Sequence, residues 1–282
     1  MGLTLLQTKK RISSISSTYK VTSAMKLVST VKLRKLMNSM ENYRYFVNEI
    51  STIFSSLFNS IAEIDSPFFN ENKGNGTLYI LFSSTLGLCG SYNYNIFEIL
   101  DNQIKDNDYL IIIGNKGKIH YKNFENVINM DLDENNIDSL ERALSDYIIH
   151  SYEDNKYKEI KIVYTDYKNS ITFVPKIDSL LPIKNIDKAN DESYASVLIE
   201  PSKEEVLNLL VPLYISSLVK GRILEAYTSE QASRRNAMEN ASENAKEIID
   251  ELKLEFNKAR QSQITNEIID IVGAATAQKG EK

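Results

Sequence analysis

Few side chains in this sequence are of types that could do chemistry. The chain has two histidines, His120 and His150, and one cysteine, Cys89. Neither histidine has a second metal-ligating residue at a recognisable spacing, so surface or packing roles are favoured for both. A serine or cysteine nucleophile needs a base within reach, and two isolated histidines make that unfavourable. The sequence therefore predicts no catalytic residue, no metal and no cofactor.

Two glycine-containing segments, Gly87–Gly90 and Gly114–Gly117, each follow an expected strand, where a phosphate-binding turn could lie. Neither has the G-x-G-x-x-G pattern of a dinucleotide site, and the chain has no G-x-x-x-x-G-K-[ST] motif. Asp131 and Asp133 form a carboxylate pair, but a polar stretch surrounds them, which is typical of solvated charge. Plain turns are the favoured interpretation of both glycine segments.

The composition favours a folded protein that functions in a reducing compartment. The 282 residues are 42% hydrophobic with a net charge of −5, enough for a sizeable core in one or two domains. No stretch approaches the ~18 consecutive apolar residues of a membrane span, and no secretory signal is predicted. A single cysteine excludes an internal disulfide framework.

The charges are distributed unevenly along the chain. The first 40 residues contain no carboxylate, and the first acidic residue is Glu41. The same segment contains eight basic residues: Lys9, Lys10, Arg11, Lys20, Lys26, Lys32, Arg34 and Lys35. Such a segment faces a partner of opposite sign or is a solvated face. A transit peptide is disfavoured because the segment continues directly into a long apolar repeat. A nucleic-acid site is disfavoured by the negative net charge of the whole chain, and a membrane-surface helix by its narrow apolar stripe.

The basic residues belong to a long predicted helix. Its apolar residues are alternately three and four apart: Ile12, Ile15, Tyr19 and Thr22, then, after the polar Lys26 and Ser29, Leu33, Leu36, Met40, Tyr43, Val47, Ile50, Phe54, Leu57 and Ile61. This spacing is typical of a coiled-coil seam. No proline occurs before Pro67, so about 55 residues would form a helix roughly 80 Å long.

The C-terminal segment has the same periodicity. Its seam is predicted at Ala241, Ala245, Ile248, Leu252, Phe256 and Ala259, with an apolar stripe continuing through Ile264, Ile268 and Ile271. Helix is expected from Glu204 to Ala277, with bends at Pro212 and Gly221. Antiparallel pairing of the two terminal helices would bury both stripes. A parallel coil between two copies of the chain is the alternative.

Strands and helices alternate in the middle of the chain. The pattern predicts strands at Thr77–Phe82, Tyr109–Ile113 and Glu159–Tyr164, helices at Tyr94–Ile104 and Asp138–Tyr152, and a further edge strand at Ile171–Pro175. Such alternation indicates a mostly parallel sheet. The predicted fold class is α/β: a long antiparallel coiled coil of the terminal helices with an inserted Rossmann-like α/β domain. The expected boundaries are 1–62, 76–200 and 203–278.

Three segments resemble the gamma subunit of F-type ATP synthases. They are Lys20–Val28 with Lys32–Lys35, then Gly87–Gly90 with Tyr92 and Asn93, and finally Ser229–Ala241 with Phe256–Gly273. They span the chain in the family's order. The resemblance implies a central rotor shaft, one copy per hexamer of alpha and beta subunits, that couples rotation to ATP synthesis or hydrolysis and to proton transport. It implies a non-catalytic subunit at the cytoplasmic face of the cell membrane, bound peripherally.

The resemblance also implies partners and contact residues. Besides the alpha and beta subunits, an epsilon subunit and a membrane ring of c subunits are expected, and no nucleic acid. Met25 and Lys26 match the place where the shaft meets acidic levers of the catalytic subunits. Arg260 and Gln261 match catch contacts higher in the sleeve, and Glu200 matches a position facing the ring. Plain packing is the alternative for Met25, and an exposed carboxylate at a helix start is the alternative for Glu200.

The apolar tail Ile271–Ala277 is expected, from the same resemblance, to turn in a hydrophobic bearing.

Departures from the family pattern leave two other functions open. Thr85 and Leu86 replace the usual Asp-Arg, Ser91 replaces a common glycine, and the pI of about 5.3 is low for a subunit that is commonly basic. One alternative is the same shaft in a dedicated F-type-like ATPase that drives other cellular machinery. The other is a self-assembling coiled-coil scaffold.

Overall fold

The computed structural model describes residues 5–59, 67–183 and 202–280. Five α-helices, four strands and one 3-10 turn lie in these ranges. In chain order they are α1 (Leu5–Asn59), the 3-10 turn (Pro67–Phe69), β1 (Thr77–Phe82), α2 (Tyr92–Asp101), β2 (Tyr109–Ile113), α3 (Asn115–His120), α4 (Ile137–Glu153), β3 (Glu159–Tyr167), β4 (Phe173–Leu181) and α5 (Lys203–Gly280).

The chain divides into two compact units. The first, here called the shaft unit, comprises Met1–Val28 and Arg235–Lys282. The second, here called the domain unit, is Ser29–Arg234. Both terminal helices contribute to both units, because α1 and α5 each continue through a boundary.

Helices α1 and α5 run antiparallel in the shaft unit. The Ser242 hydroxyl donates a hydrogen bond to Thr22 Oγ1 at 2.8 Å, and Lys26 Nζ lies 2.6 Å from Glu239 Oε1. Residue numbers thus rise along α1 as they fall along α5. This pairing within one chain confirms the predicted antiparallel coiled coil with its inserted α/β domain.

In the shaft unit, two of the buried seam residues of α5 are not the predicted ones but the residues that directly follow them. Ser242 and Ile249 are buried, whereas Ala241 is half-buried and Ile248 is 41% exposed. Both sets combine spacings of three and four, so periodicity alone does not separate them. The hydrogen bond to Thr22 allows a serine to occupy the seam, which a purely apolar pattern overlooks.

The C-terminal part of α5 is exposed. Every residue from 257 to 273 is exposed, including Ala259, which was predicted to lie in the seam. Thr22 faces Ser242, and stepping seventeen residues from each (22 − 17 and 242 + 17) brings Leu5 level with Ala259. The described part of α1 begins at Leu5. Residues beyond Ala259 therefore lack a facing α1 residue within the described ranges.

The domain unit is built on a four-stranded sheet with the order β2-β1-β3-β4. The first three strands are parallel and β4 is antiparallel to β3. Strands β1 and β2 have the predicted bounds, and β4 confirms the predicted edge strand but runs further, to Leu181. Pro175 is tolerated in β4 because an edge strand needs only one row of ladder hydrogen bonds. The one-turn helix α3 was interpreted as a plain turn.

Both faces of the sheet are covered. On one face, Ile80, Phe82 and Ile162 pack in a core with α4 and with the parts of α1 and α5 that belong to the domain unit. Within that core, the Phe54 ring of α1 stacks on the Tyr214 ring of α5, with ring centroids 4.2 Å apart. The other face packs mainly against α2 through a separate cluster: Tyr79, Leu81, Ile96, Phe97, Leu100, Leu110, Ile112, Tyr121 and Val163.

Helix α5 continues without interruption through Pro212 and Gly221, where bends were predicted. Beyond Pro212, Ile215, Val219 and Ile223 of this helix are buried in the core. Packing on one side of the helix offsets the backbone hydrogen bond that a proline removes. None of the described helices has a stretch that is long and apolar enough to cross a membrane.

The turn after β2 depends on a glycine. Gly114 has φ +92°, and a Cβ there would overlap the carbonyl oxygen of Ser83. We expect Gly114→Ala to lower the free energy of unfolding by about 1–3 kcal/mol or more, measured by denaturant unfolding of the purified chain. Gly221→Ala is the matched control. Its Cβ would meet only Val47 Cγ2, at 3.9 Å, so it should be neutral or stabilise helix α5 by about 0.5–1 kcal/mol. Equal effects of the two substitutions would contradict this account.

Candidate partner-contact site

Two of the family-like segments contact one another in the domain unit. Arg234 of α5 donates hydrogen bonds to the carbonyl oxygens of Leu86, at 2.9 Å, and Gly87, at 3.4 Å. The neighbouring Ser233 hydroxyl donates to the carbonyl oxygen of Cys89 at 2.6 Å. Three carbonyls of the loop between β1 and α2 are thus satisfied by one turn of α5.

Arg234 is itself held by Glu230, one turn earlier on α5. Arg234 Nη2 lies 2.6 Å from Glu230 Oε1, and the two side chains are only 6% and 11% exposed. Burial raises the pKa of Glu230, although Arg234 opposes this shift. The pair leaves no charge uncompensated in the interior, which is the condition for tolerating buried ions. The Glu-x-x-x-Arg spacing in the sequence could have indicated this pair, but its contact with the loop could not be read there.

The loop itself is fixed internally. Asn93 accepts a hydrogen bond from the Ser84 amide at 3.0 Å, and its side-chain amide donates to the Ser84 hydroxyl at 2.7 Å. Leu88 has φ +61°, a left-handed conformation that is costly for a bulky side chain. Leu86 and Leu88 are 66% and 62% exposed. The loop therefore presents two leucine side chains to solvent on a backbone that Arg234 and Asn93 hold in place.

This loop lies at the carboxyl end of β1, beside the point where the sheet order reverses between β1 and β3. Open α/β sheets commonly bind ligands in this crevice. Here α5 fills it, because the Ser229 hydroxyl donates to the Thr165 carbonyl oxygen at 2.9 Å and the Tyr92 hydroxyl donates to the Ala226 carbonyl oxygen at 3.3 Å. The crevice is thus occupied by a helix of the same chain.

The backbone amide of the glycine turn at the start of α3 is also hydrogen-bonded within the chain. The Gly117 amide donates to the Ser83 hydroxyl at 2.9 Å, and that hydroxyl donates to the Ile113 carbonyl oxygen at 2.8 Å. The two histidines lie apart from this turn's hydrogen bonds. His120 stacks on Phe97 with ring centroids 4.4 Å apart, and His150 Nδ1 lies 2.7 Å from the carbonyl oxygen of Asp146.

Met25 and Lys26 lie on α1 in the shaft unit, and both are half-buried. Lys26 is engaged by Glu239 of α5 at 2.6 Å, and Arg235 approaches the same carboxylate at 3.8 Å. The hydrogen bond from Lys26 is the main cause that lowers the pKa of Glu239. The sequence pattern indicates the lysine but not its carboxylate partner on the other helix.

Arg260 and Gln261 are exposed neighbours on the C-terminal part of α5. The structure does not bring them near Met25 or Lys26, because they lie beyond the level of Leu5 in the paired helices. Glu200 lies outside the described residues. Ile271 in the predicted bearing segment is 69% exposed.

The contribution of Arg234 to the fold can be tested by measuring the free energy of unfolding. Arg234→Ala should lower the free energy of unfolding by about 3–5 kcal/mol, because Glu230 is left buried without its cation. In the variant the pKa of Glu230 should rise further, so the folded state binds more protons than the unfolded state near neutral pH. The deficit relative to wild type should therefore shrink as the pH falls from 7 towards about 4.3, the ordinary glutamate pKa. The double variant with Glu230→Gln is the control, and it should lose this pH dependence. A deficit that stays constant with pH would contradict the assignment.

Comparisons with known proteins agree with this architecture. The family described as ATP synthase matches residues 4–277. The ATP synthase gamma chain of Mycoplasma mobile is 36% identical over 97% of this chain and 99% of its own length, and that of Malacoplasma penetrans is 38% identical over 98% and 99%. A chain in the central stalk and c-ring structure of the Tetrahymena thermophila mitochondrial ATP synthase has a TM-score of 0.54 and 26% identity, over 79% of this chain and 99% of that one. A chain of the Euglena gracilis mitochondrial ATP synthase has a TM-score of 0.68 at 17% identity, over 99% and 96%, which shows the shared fold. With its paired terminal helices and inserted α/β domain, the chain belongs to the family of ATP synthase gamma chains.

Proposed function

We propose that this gamma chain is the central rotor shaft of an F-type ATP synthase, and that it couples rotation to the conformational cycle of three catalytic sites. The observation that carries the proposal is the antiparallel pair of α1 and α5, with α5 exposed from residue 257 to residue 273. The part of α5 beyond Ala259, which no described residue of α1 faces, is suited to insertion into a sleeve of other subunits. One copy would serve each hexamer of alpha and beta subunits.

The chain contributes no catalytic site in this proposal. The crevice where an α/β domain would bind a nucleotide is filled by α5, and the Gly117 amide is bonded to Ser83. ATP chemistry would then take place in the partner subunits, and this chain would act through its shape and its contacts.

Two sets of residues would meet the catalytic subunits. Met25 and Lys26 would contact the acidic levers, which suits the segment of α1 that has basic residues and no carboxylate before Glu41. Arg260 and Gln261 would contact the sleeve higher up, where a guanidinium can hold a carboxylate through two hydrogen bonds. The exposed Ile271 and the residues after it would turn in an apolar bearing.

Other subunits would connect the chain to the membrane. We place an epsilon subunit and a ring of c subunits in this role, with Glu200 facing the ring, and the complex on the cytoplasmic face of the cell membrane. The experiment is to purify the native complex through an affinity tag on this chain and to identify every subunit. A proteolipid ring together with alpha and beta subunits would support a proton-coupled synthase. Novel partner proteins without a ring would support the dedicated ATPase, and a homodimer that binds no ATPase subunit would support the scaffold.

The catch contact gives a direct prediction for the assembled complex. Arg260→Ala combined with Gln261→Ala should lower ATP turnover by about tenfold, because the loss of a hydrogen-bonded charge pair costs about 1.5–3 kcal/mol. Steady-state hydrolysis by the purified complex measures this. The matched control is Lys258→Ala with Gln263→Ala. It also removes one cation and one amide from the exposed part of α5 but keeps Arg260 and Gln261, and it should leave turnover unchanged. If the two double variants turn over ATP equally, the catch role is wrong.

A further inference from the structure

Lys26, in the basic segment of α1, forms an ion pair with α5 in the shaft unit. Its Nζ lies 2.6 Å from Glu239 Oε1, and one α1 turn earlier Thr22 is hydrogen-bonded to Ser242 at 2.8 Å. The Ser23 hydroxyl also lies 3.4 Å from Ser242 Oγ. A hydroxyl layer in an otherwise apolar seam fixes the register of paired helices. This register puts the Glu239 carboxylate beside Lys26.

The ion pair is built so that it can open. The Lys26 and Glu239 side chains are 37% and 33% exposed, so water and salt screen their attraction. A partner carboxylate could therefore approach Lys26 without burying either charge. Since α1 has no carboxylate before Glu41, the anion that pairs with Lys26 comes from the other helix.

Glu239 has a second cation available. Arg235, one turn earlier on α5, has its Nη2 at 3.8 Å from Glu239 Oε2, on the opposite carboxylate oxygen from the one that Lys26 contacts. When Lys26 turns to another carboxylate, Glu239 can shorten its contact with Arg235. The exchange then leaves no anion without a cation, which keeps its free-energy cost small.

We propose that Glu239 is an intramolecular competitor that limits how tightly Lys26 holds the carboxylates of a partner subunit. The inference rests on the proposed contact between Lys26 and the acidic levers, and it assigns a role to a residue outside that contact. Glu239 acts through Lys26 and is therefore a positioning residue. A shaft that must leave one lever for the next needs contacts that release, and a built-in competing carboxylate weakens each contact by the same amount.

The test uses the complex of this chain with its catalytic hexamer. Glu239→Gln removes the ion pair that competes for Lys26. The chain should then leave the hexamer about two- to fivefold more slowly after transfer into raised salt, the range expected for a partly exposed ion pair. ATP turnover should fall in parallel, because release from each lever is slower. Glu243→Gln is the matched control. It removes the same charge from an exposed position one turn further along α5, and it should leave both rates as in the wild type.

A double-mutant cycle separates competition from a general charge effect. Lys26→Gln should speed the release of the chain, and in that background Glu239→Gln should have no further effect. The proposal is overturned if Glu239→Gln slows release equally without Lys26, or if Glu243→Gln slows release as much. If Lys26→Gln leaves release unchanged, the lever contact and the competition both fail. Failure of the rotor function itself would be recognised separately, because the chain would then not assemble with the hexamer.

Discussion

The antiparallel contact between α1 and α5 is the interaction on which the rest of the structure depends. In the shaft unit it is made by Thr22 and Ser242, and in the domain unit by the stacked rings of Phe54 and Tyr214. Isolated helices gain little stability from propensity alone, so each helix needs the apolar stripe of the other. Because the partner is in the same chain, the pairing needs no second copy.

The α/β domain uses a ligand-binding architecture for a mechanical purpose. Its sheet has the crevice between β1 and β3 that binds ligands in related folds, but Ser229 of α5 occupies it. Arg234 then ties α5 to the loop that carries Leu86 and Gly87. Several buried or partly buried hydrogen bonds thus join α5 to the domain, and breaking them would leave polar groups unsatisfied.

Helix α5 takes part in two ion pairs that differ in burial. The Glu230–Arg234 pair is buried within the domain unit. Glu239, nine residues further on, is one-third exposed and pairs with Lys26 on α1. The same kind of ion pair thus has two uses, because burial makes the first costly to break and solvent makes the second easy to exchange.

The sequence by itself determined the elements and the family. Repeats of three and four predicted both terminal helices, and apolar runs predicted β1 and β2 with the bounds observed, because local periodicity reflects which face is buried. Only the tertiary structure decided that Ser242 and Ile249 lie in the seam, that Arg234 reaches the loop after β1, and that Lys26 meets Glu239. Each of these contacts joins residues more than a hundred positions apart, and their side chains carry no local signal of the partner. The register of two long helices is settled by packing and hydrogen bonding between them, which no single stretch of sequence contains.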